Sequence, residues 1–282
     1  MFHGKTMRRP GGFFSSITIG VTIAAAALGA AMGSVRAEDW AGYEKLSREQ
    51  VIAAVKGTPD GKPPTLYSKN LSGLDLAGVD FRRANLSASV LNGADLKGAN
   101  LSGCDLTVAF VEGANLSGAD LRGATLFSTQ FRGSMLKGAN LAGARFIGDM
   151  TGADLQGADL SRLDGAADMK NQSMGLMRAN IVSANLRDAN LAGADLSRAD
   201  LSFSVLAGAN LRNAKLFGAD FSATDLRESD LRGADLQGSK FVDTDLTGAD
   251  LSDADLSGST FRNVKGLETA KRTGAKGLPA GP

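Results

Sequence analysis

The sequence predicts an all-β fold, a solenoid whose chain turns a corner every five residues. Three observations carry that reading. Every fifth residue from Leu66 to Phe146 is Leu, Phe or Val, and every fifth from Leu176 to Phe261 is Leu, Ile or Phe. Two residues before each of these centres sits a small side chain, usually Ala, and the residue just before the centre is most often Asp or Asn. Gly frequently falls two after it.

A period of five suits neither common element. Each helical residue turns about 100°, so five steps advance the stripe by roughly 140° and no helix face collects the leucines. In a flat strand the side-chain period is two, so an odd spacing throws successive leucines to opposite faces. All centres point one way only if the backbone bends once per repeat, which is the geometry of a stacked solenoid. The other positions agree. Asp and Asn tolerate turn conformations and bond nearby backbone, Gly relieves crowding at corners, and Ala fits a tight interior.

The motif Ala-(Asp/Asn)-Leu-x-x resembles that of the pentapeptide-repeat family over about two thirds of the chain. The resemblance implies a right-handed quadrilateral β-helix, four repeats per coil, with the centre and the small residue facing inward. Twenty residues per coil would place Leu201, Phe221, Phe241 and Phe261 on one face, so an aromatic ladder of three rings is expected there.

In chain order, the segment 1–37 reads as an export signal. Lys5, Arg8 and Arg9 open it, residues 17–33 carry no charge, and Val35-Arg36-Ala37 offers a small-x-small cleavage site before Glu38. The alternative is an uncleaved membrane anchor, although the apolar run is at the short limit for a span. The paired arginines carry little weight as a twin-arginine signal because Pro10-Gly11-Gly12 follows them. Both readings put the folded part outside the cytoplasm, periplasmic or secreted in the first case and anchored facing the periplasm in the second.

Residues 38–65 form an N-terminal capping segment. Ser47-Arg48-Glu49-Gln50 has the form of a capping box and precedes an apolar run, predicting a short helix over about 47–56. A cap covers the open edge and apolar interior of a solenoid end; partner docking is the alternative role. The first repeat block is 66–146. In 147–175, Met150, Leu155 and Leu160 keep the fivefold spacing one residue out of phase, and the pattern then dissolves after Arg162. The plain reading is a one-residue deletion followed by a loop. The functional one makes the loop a binding feature, with Met169, Met174 and Met177 as adaptable apolar contacts. The second block is 176–262, and 263–282 reads as a C-terminal cap or tail.

Composition narrows the function. The chain has 282 residues, only 6% of them aromatic, with 36 glycines, which fits a thin interior of leucine and alanine. The one histidine, His3, lies in the export segment, so the mature chain has no histidine for a catalytic triad or a metal site. The glycines recur at the repeat interval and match no phosphate or dinucleotide fingerprint. Turn geometry accounts for nearly all the aspartates, and lone Cys104 occupies an inward small position as core filler. No enzyme, cofactor or metal is expected.

The outward positions remain. Arg212 and Arg232 align at one coil spacing, Arg82 and Arg122 at two, Phe127 and Phe217 point outward, and Phe110 replaces a turn Asp/Asn. They read either as isolated surface groups or as a contact patch. The expected role is a structural or protein-interaction scaffold for an unidentified protein partner. Membrane contact would come only through an uncleaved N-terminus, and the oligomeric state is open. The competing class comes from the resemblance: some family members imitate DNA and inhibit DNA gyrase. Removing 1–37 takes away Lys5, Arg8, Arg9 and Arg36 and no acidic residue, leaving 27 basic and 30 acidic residues, a net charge of −3. A duplex carries a charge every ~1.7 Å, so such a surface imitates it poorly. Nucleic-acid binding is not expected either, because no basic stripe is interleaved with aromatics. Sugar or cell-wall binding along a face has no feature of its own to support it.

Overall fold

The computed structural model describes residues 40–57, 62–166 and 177–279. The chain divides into two compact units, Met1–Ala41 and Gly42–Pro282. Of the first, only Trp40 and Ala41 are described, and the expected export segment lies outside the described residues.

The second unit is built from stacked coils. Parallel bridges join Asn85 to Asp105, Asp105 to Thr125, and so on at twenty-residue intervals, with one bridge per pentapeptide and four per coil. At each centre the N–H donates to the next coil, as Leu86 does to the Asp105 carbonyl at 2.8 Å. The residue before the centre donates back, as Asp105 does to Ala84 at 3.0 Å. The coil backbone therefore spends its donors and acceptors along the solenoid axis, and the centres are left to fill the interior. Leu66, Leu86, Leu106 and their successors are buried in one continuous apolar cluster.

The corners explain the rest of the repeat. The Asn100 Oδ1 accepts the Ser102 N–H at 3.1 Å, and the Asp95 Oδ1 accepts that of Lys97 at 3.1 Å, so the turn residue closes an Asx turn. Two after nearly every centre the backbone is left-handed, with φ 61° at Gly98 and also at Arg83, Val108 and Phe203, where φ is 61°, 52° and 61°. Where the small position is polar, its hydroxyl is tied down: Thr224 Oγ1 donates to the Leu201 carbonyl at 2.9 Å and Thr244 Oγ1 to that of Phe221 at 2.7 Å. Cys104 makes the same contact with Phe81, at 3.2 Å.

The aromatic ladder is present. Phe221 and Phe241 stack at 5.3 Å between centroids with planes 9° apart, and Phe241 and Phe261 at 5.3 Å and 6°.

The interruption is smaller than its sequence implies. Strand β3 (Thr125–Gln130) pairs in parallel with β4 (Arg145–Asp149), six residues against five, so the register drops from twenty to nineteen at Gln130 and Asp149. Gly148 makes the shortcut possible, because a Cβ there would collide with the Thr129 carbonyl. The coil carries on for one more repeat past Arg162. Leu163 is buried at the small position, Asp164 bridges Arg145 and Asp195, and Gly165 takes the centre. The Leu196 side chain occupies the missing volume, its Cδ2 only 2.9 Å from where a Gly165 Cβ would lie. Asp149 and Asn180, 31 residues apart, are bridged as coil neighbours, so eleven extra residues lie in this coil, and stacking resumes at twenty from Asn180 to Asp200.

The ends differ. Helix α1 (Arg48–Lys56) begins at Ser47, whose side chain accepts the Gln50 N–H at 3.3 Å while Gln50 Oε1 accepts the Ser47 N–H at 2.7 Å. Strand β1 (Glu44–Lys45) pairs with β2 (Lys69–Asn70), and Val51 is fully buried in the apolar cluster. At the other end the repeat motif is lost after Phe261, yet the backbone completes a further coil. Lys265, Lys271 and Lys276 bridge Asp245, Asp250 and Asp255. Pairing uses main-chain groups, so the coil continues where the side-chain pattern has stopped. A third pair, β5 (Lys240–Val242) and β6 (Thr260–Arg262), carries the end of the ladder.

Candidate functional site

Each repeat presents three outward positions, the turn residue and the two residues after the centre. Stacking turns them into columns running along four sides, numbered in chain order from the side of Leu86, Leu106 and Leu126. Phe127 lies on the first side in β3, half-buried, with Ile147 of β4 as its register partner. Phe217 is on the same side four coils further along, 43% exposed, with the Arg198 guanidinium carbon 5.9 Å from its ring centroid. That is a cation–π distance. Tyr67 and Val108 add exposed apolar surface to this side.

Arg212 and Arg232 occupy the fourth side on consecutive coils, inside a charge ladder. Arg232 holds Asp230 through Nε at 2.8 Å and Nη2 at 2.5 Å. Arg212 Nε is 3.7 Å from Asp230, Arg232 Nε 3.8 Å from Asp250, and Lys271 Nζ 3.6 Å from Asp250. The hydrogen bonds from Arg232 hold the Asp230 carboxyl below the usual carboxylate range, against a smaller opposing effect of burial. Exposed pairs of this kind are worth up to about 1 kcal/mol each. The structure thus puts Phe127 and Phe217 on one side and the two arginines on the adjacent one. Met169 and Met174 lie outside the described residues.

One arrangement on the third side was not singled out from the sequence. Arg187 and Arg227 stand two coils apart with Ala207 and Gly208 between them, and with Asp188 and Glu228 they line an open notch of about 160 Å³. Arg227 is bonded to Asp225 at 2.8 and 2.6 Å, whereas no ion pair involves Arg187 among the described residues. The signal was available as a forty-residue spacing.

Burial pushes the Cys104 thiol up to about 12, so at neutral pH it is a protonated core group. Among the described residues no group of three or more His, Cys, Asp or Glu side chains could hold a metal ion, and no helix is long and apolar enough to cross a membrane.

The family model for pentapeptide repeats (8 copies) matches residues 70–107, 114–148, 126–164, 184–222, 194–233 and 224–263, more than half of the chain. The chain belongs to the pentapeptide-repeat family. Among solved structures this pentapeptide-repeat protein is similar to HetL, a pentapeptide repeat protein involved in heterocyst differentiation regulation from the cyanobacterium Nostoc sp. strain PCC 7120. Identity is 30%, coverage 77% of this chain and 87% of that one, and the TM-score 0.39. It is also similar to a trypsin-treated form of QnrB1, a plasmid-mediated fluoroquinolone resistance protein (22% identity, 71% and 88% coverage, TM-score 0.35). A third is Rfr23 from the cyanobacterium Cyanothece 51142 (23% identity, 48% and 88% coverage, TM-score 0.34). No curated protein matches the chain.

Proposed function

We propose that this pentapeptide-repeat protein is an exported, non-enzymatic scaffold that binds a protein partner on the sides of a right-handed quadrilateral β-helix. The observation that carries the reading is the columnar surface. Outward side chains are held at a fixed coil spacing by a backbone ladder that still joins Asp149 to Asn180 and Asp164 to Asp195. A partner meets such a surface with little ordering left to do, which lowers the entropic cost of binding. Family membership and a mature chain without histidine support a non-enzymatic role. Residues 1–37 support export. Gyrase mimicry, by contrast, asks for an acidic surface in the cytoplasm, and the near-neutral mature chain argues against it.

The test has two readouts in the native host. Fractionation with N-terminal sequencing should give a periplasmic species starting at Glu38, and a full-length cytoplasmic species would overturn export. A photo-crosslinker at position 127 or 217 should give one discrete protein adduct, and its absence at both sites would count against a partner on the first side.

A further inference from the structure

The notch between Arg187 and Arg227 is one segment of a longer feature. The column just after the third-side centres reads Lys97, Ser117, Lys137, Gln156, Arg187, Ala207, Arg227. Its register is given by hydrogen bonds: Gly98 N–H to Ser117 at 2.9 Å, Gly118 to Lys137 at 2.9 Å, Gly138 to Gln156 at 3.0 Å, Gly157 to Arg187 at 2.9 Å, Asp188 to Ala207 at 3.1 Å and Gly208 to Arg227 at 2.9 Å. The cations fall on every second coil. All four are exposed, while Ser117, Gln156 and Ala207 between them are half-buried or buried, so the column is a comb of charged heads over a low, uncharged floor.

Three of the four cations lack a close ion pair among the described residues, although Arg187 lies near enough to Asp225 to help Arg227 hold that carboxyl low. Among the described residues Lys97, Lys137 and Arg187 are in no ion pair, and only Arg227 is paired, with Asp225. Of the nearby acids, Asp95 Oδ1 accepts the Asn115 amide at 3.0 Å and Asp154 Oδ1 that of Asn185 at 2.9 Å, so both carboxylates are held within the coils. Beside Lys137 and Arg187 the turn residues are Met135 and Asn185, which carry no charge. Asp188 and Glu228 flank the comb at its far end.

We propose that this side is a docking track for an extended acidic peptide, in polyproline II conformation, with a carboxylate at every third residue. The proposal rests on the scaffold reading and names the class of its partner. Two coils span about 9.6 Å at the usual strand spacing. A polyproline II helix repeats every three residues, about 9.3 Å. Over the whole comb, six coil spacings cover about 29 Å, and four acids in a ten-residue polyproline II segment cover about 28 Å. A β-strand presents one face every ~6.8 Å and falls out of step at once. It would also find no backbone partners here, because the coils spend theirs on one another. The polyproline II backbone asks for none, being satisfied by water.

The experiment uses the full chain and fluorescent peptides of equal charge, four Glu-Pro-Pro units against four Glu-Pro units, with polygalacturonate as a third probe. Binding by anisotropy at low salt should favour Glu-Pro-Pro and weaken as salt rises. Lys137→Ser and Arg187→Ser should each weaken it about threefold and together about tenfold, whereas Lys215→Ser on the first side, the same charge change, should leave it unaltered. Equal affinity for both peptides, or equal loss with Lys215→Ser, would reduce the effect to bulk charge attraction and overturn the proposal. Binding of polygalacturonate alone would overturn it in favour of an acidic glycan. If neither peptide binds while the crosslinks at 127 or 217 still form, the track falls and the scaffold stands.

Discussion

Phe241 is the middle ring of the ladder, fully buried and in contact with Phe221 and Phe261 at 5.3 Å on either side. Truncation to Ala removes the buried ring and leaves a cavity in an interior one side chain wide. Such Phe→Ala changes cost about 3–5 kcal/mol, and the loss of two ring pairs at about 0.5–1.5 kcal/mol each places Phe241→Ala toward the upper end. Leu is the occupant of the same face at Leu201, so Phe241→Leu keeps most of the apolar contact and should cost roughly a third to a half as much. In a solenoid each coil contacts only its neighbours, so the damage is local. Urea unfolding followed by circular dichroism gives the magnitudes, and native-state hydrogen exchange gives the location. Protection should be lost over the coils from about 220 onward while the coils around Leu86 and Leu106 keep theirs. The reasoning is refuted if Phe241→Ala costs under about 1 kcal/mol, if Phe241→Leu costs as much as Ala, or if protection falls evenly along the chain.

Four further outcomes are expected. Gly148→Ala should destabilise by at least about 2 kcal/mol in a urea titration, because its Cβ meets the Thr129 carbonyl and backbone must move. Val108→Gly should stabilise by about 1 kcal/mol, since a β-branched residue at φ 52° is relieved by glycine; an unchanged or lower midpoint would show the corner is not strained. Asp120, Asp225 and Asp230 are held below the usual carboxylate range by hydrogen bonds from Arg122, Arg227 and Arg232. Their stabilisation is therefore complete above the unfolded carboxylate value, near pH 4, and is lost as pH falls through the lower folded values. Burial moves Glu112 the opposite way, and Asp225→Asn with Asp230→Asn should flatten the acid limb of a stability-versus-pH curve. The Cys104 thiol, buried and raised to about 12, should resist alkylation at neutral pH in the native chain and react promptly once urea unfolds it.

Much of this molecule was determined locally and is legible in its letters. A spacing of five between Leu66 and Phe146 admits only a chain that bends once per repeat, and the small residue, the Asx turn and the left-handed corner each follow from the space and dihedrals at that bend. The ring stack at Phe221, Phe241 and Phe261 follows from the twenty-residue coil. The capping box at Ser47 and Gln50 was equally local. What only the tertiary structure decided is where the pattern breaks. Gly165 reads as the loss of a centre until Leu196 is seen filling its place, and the 31 residues from Asp149 to Asn180 read as a gap until the two are seen bridged. Lys265, Lys271 and Lys276 leave the motif yet keep the coil. Most of all, the alternate-coil comb depends on Lys137 and Arg187, fifty residues apart in sequence, lying two coils apart in space. The physical reason is common to all four. Side-chain periodicity is set by neighbours along the chain, whereas stacking is set by backbone hydrogen bonds between coils, and those tolerate a missing residue or added ones that the periodicity does not.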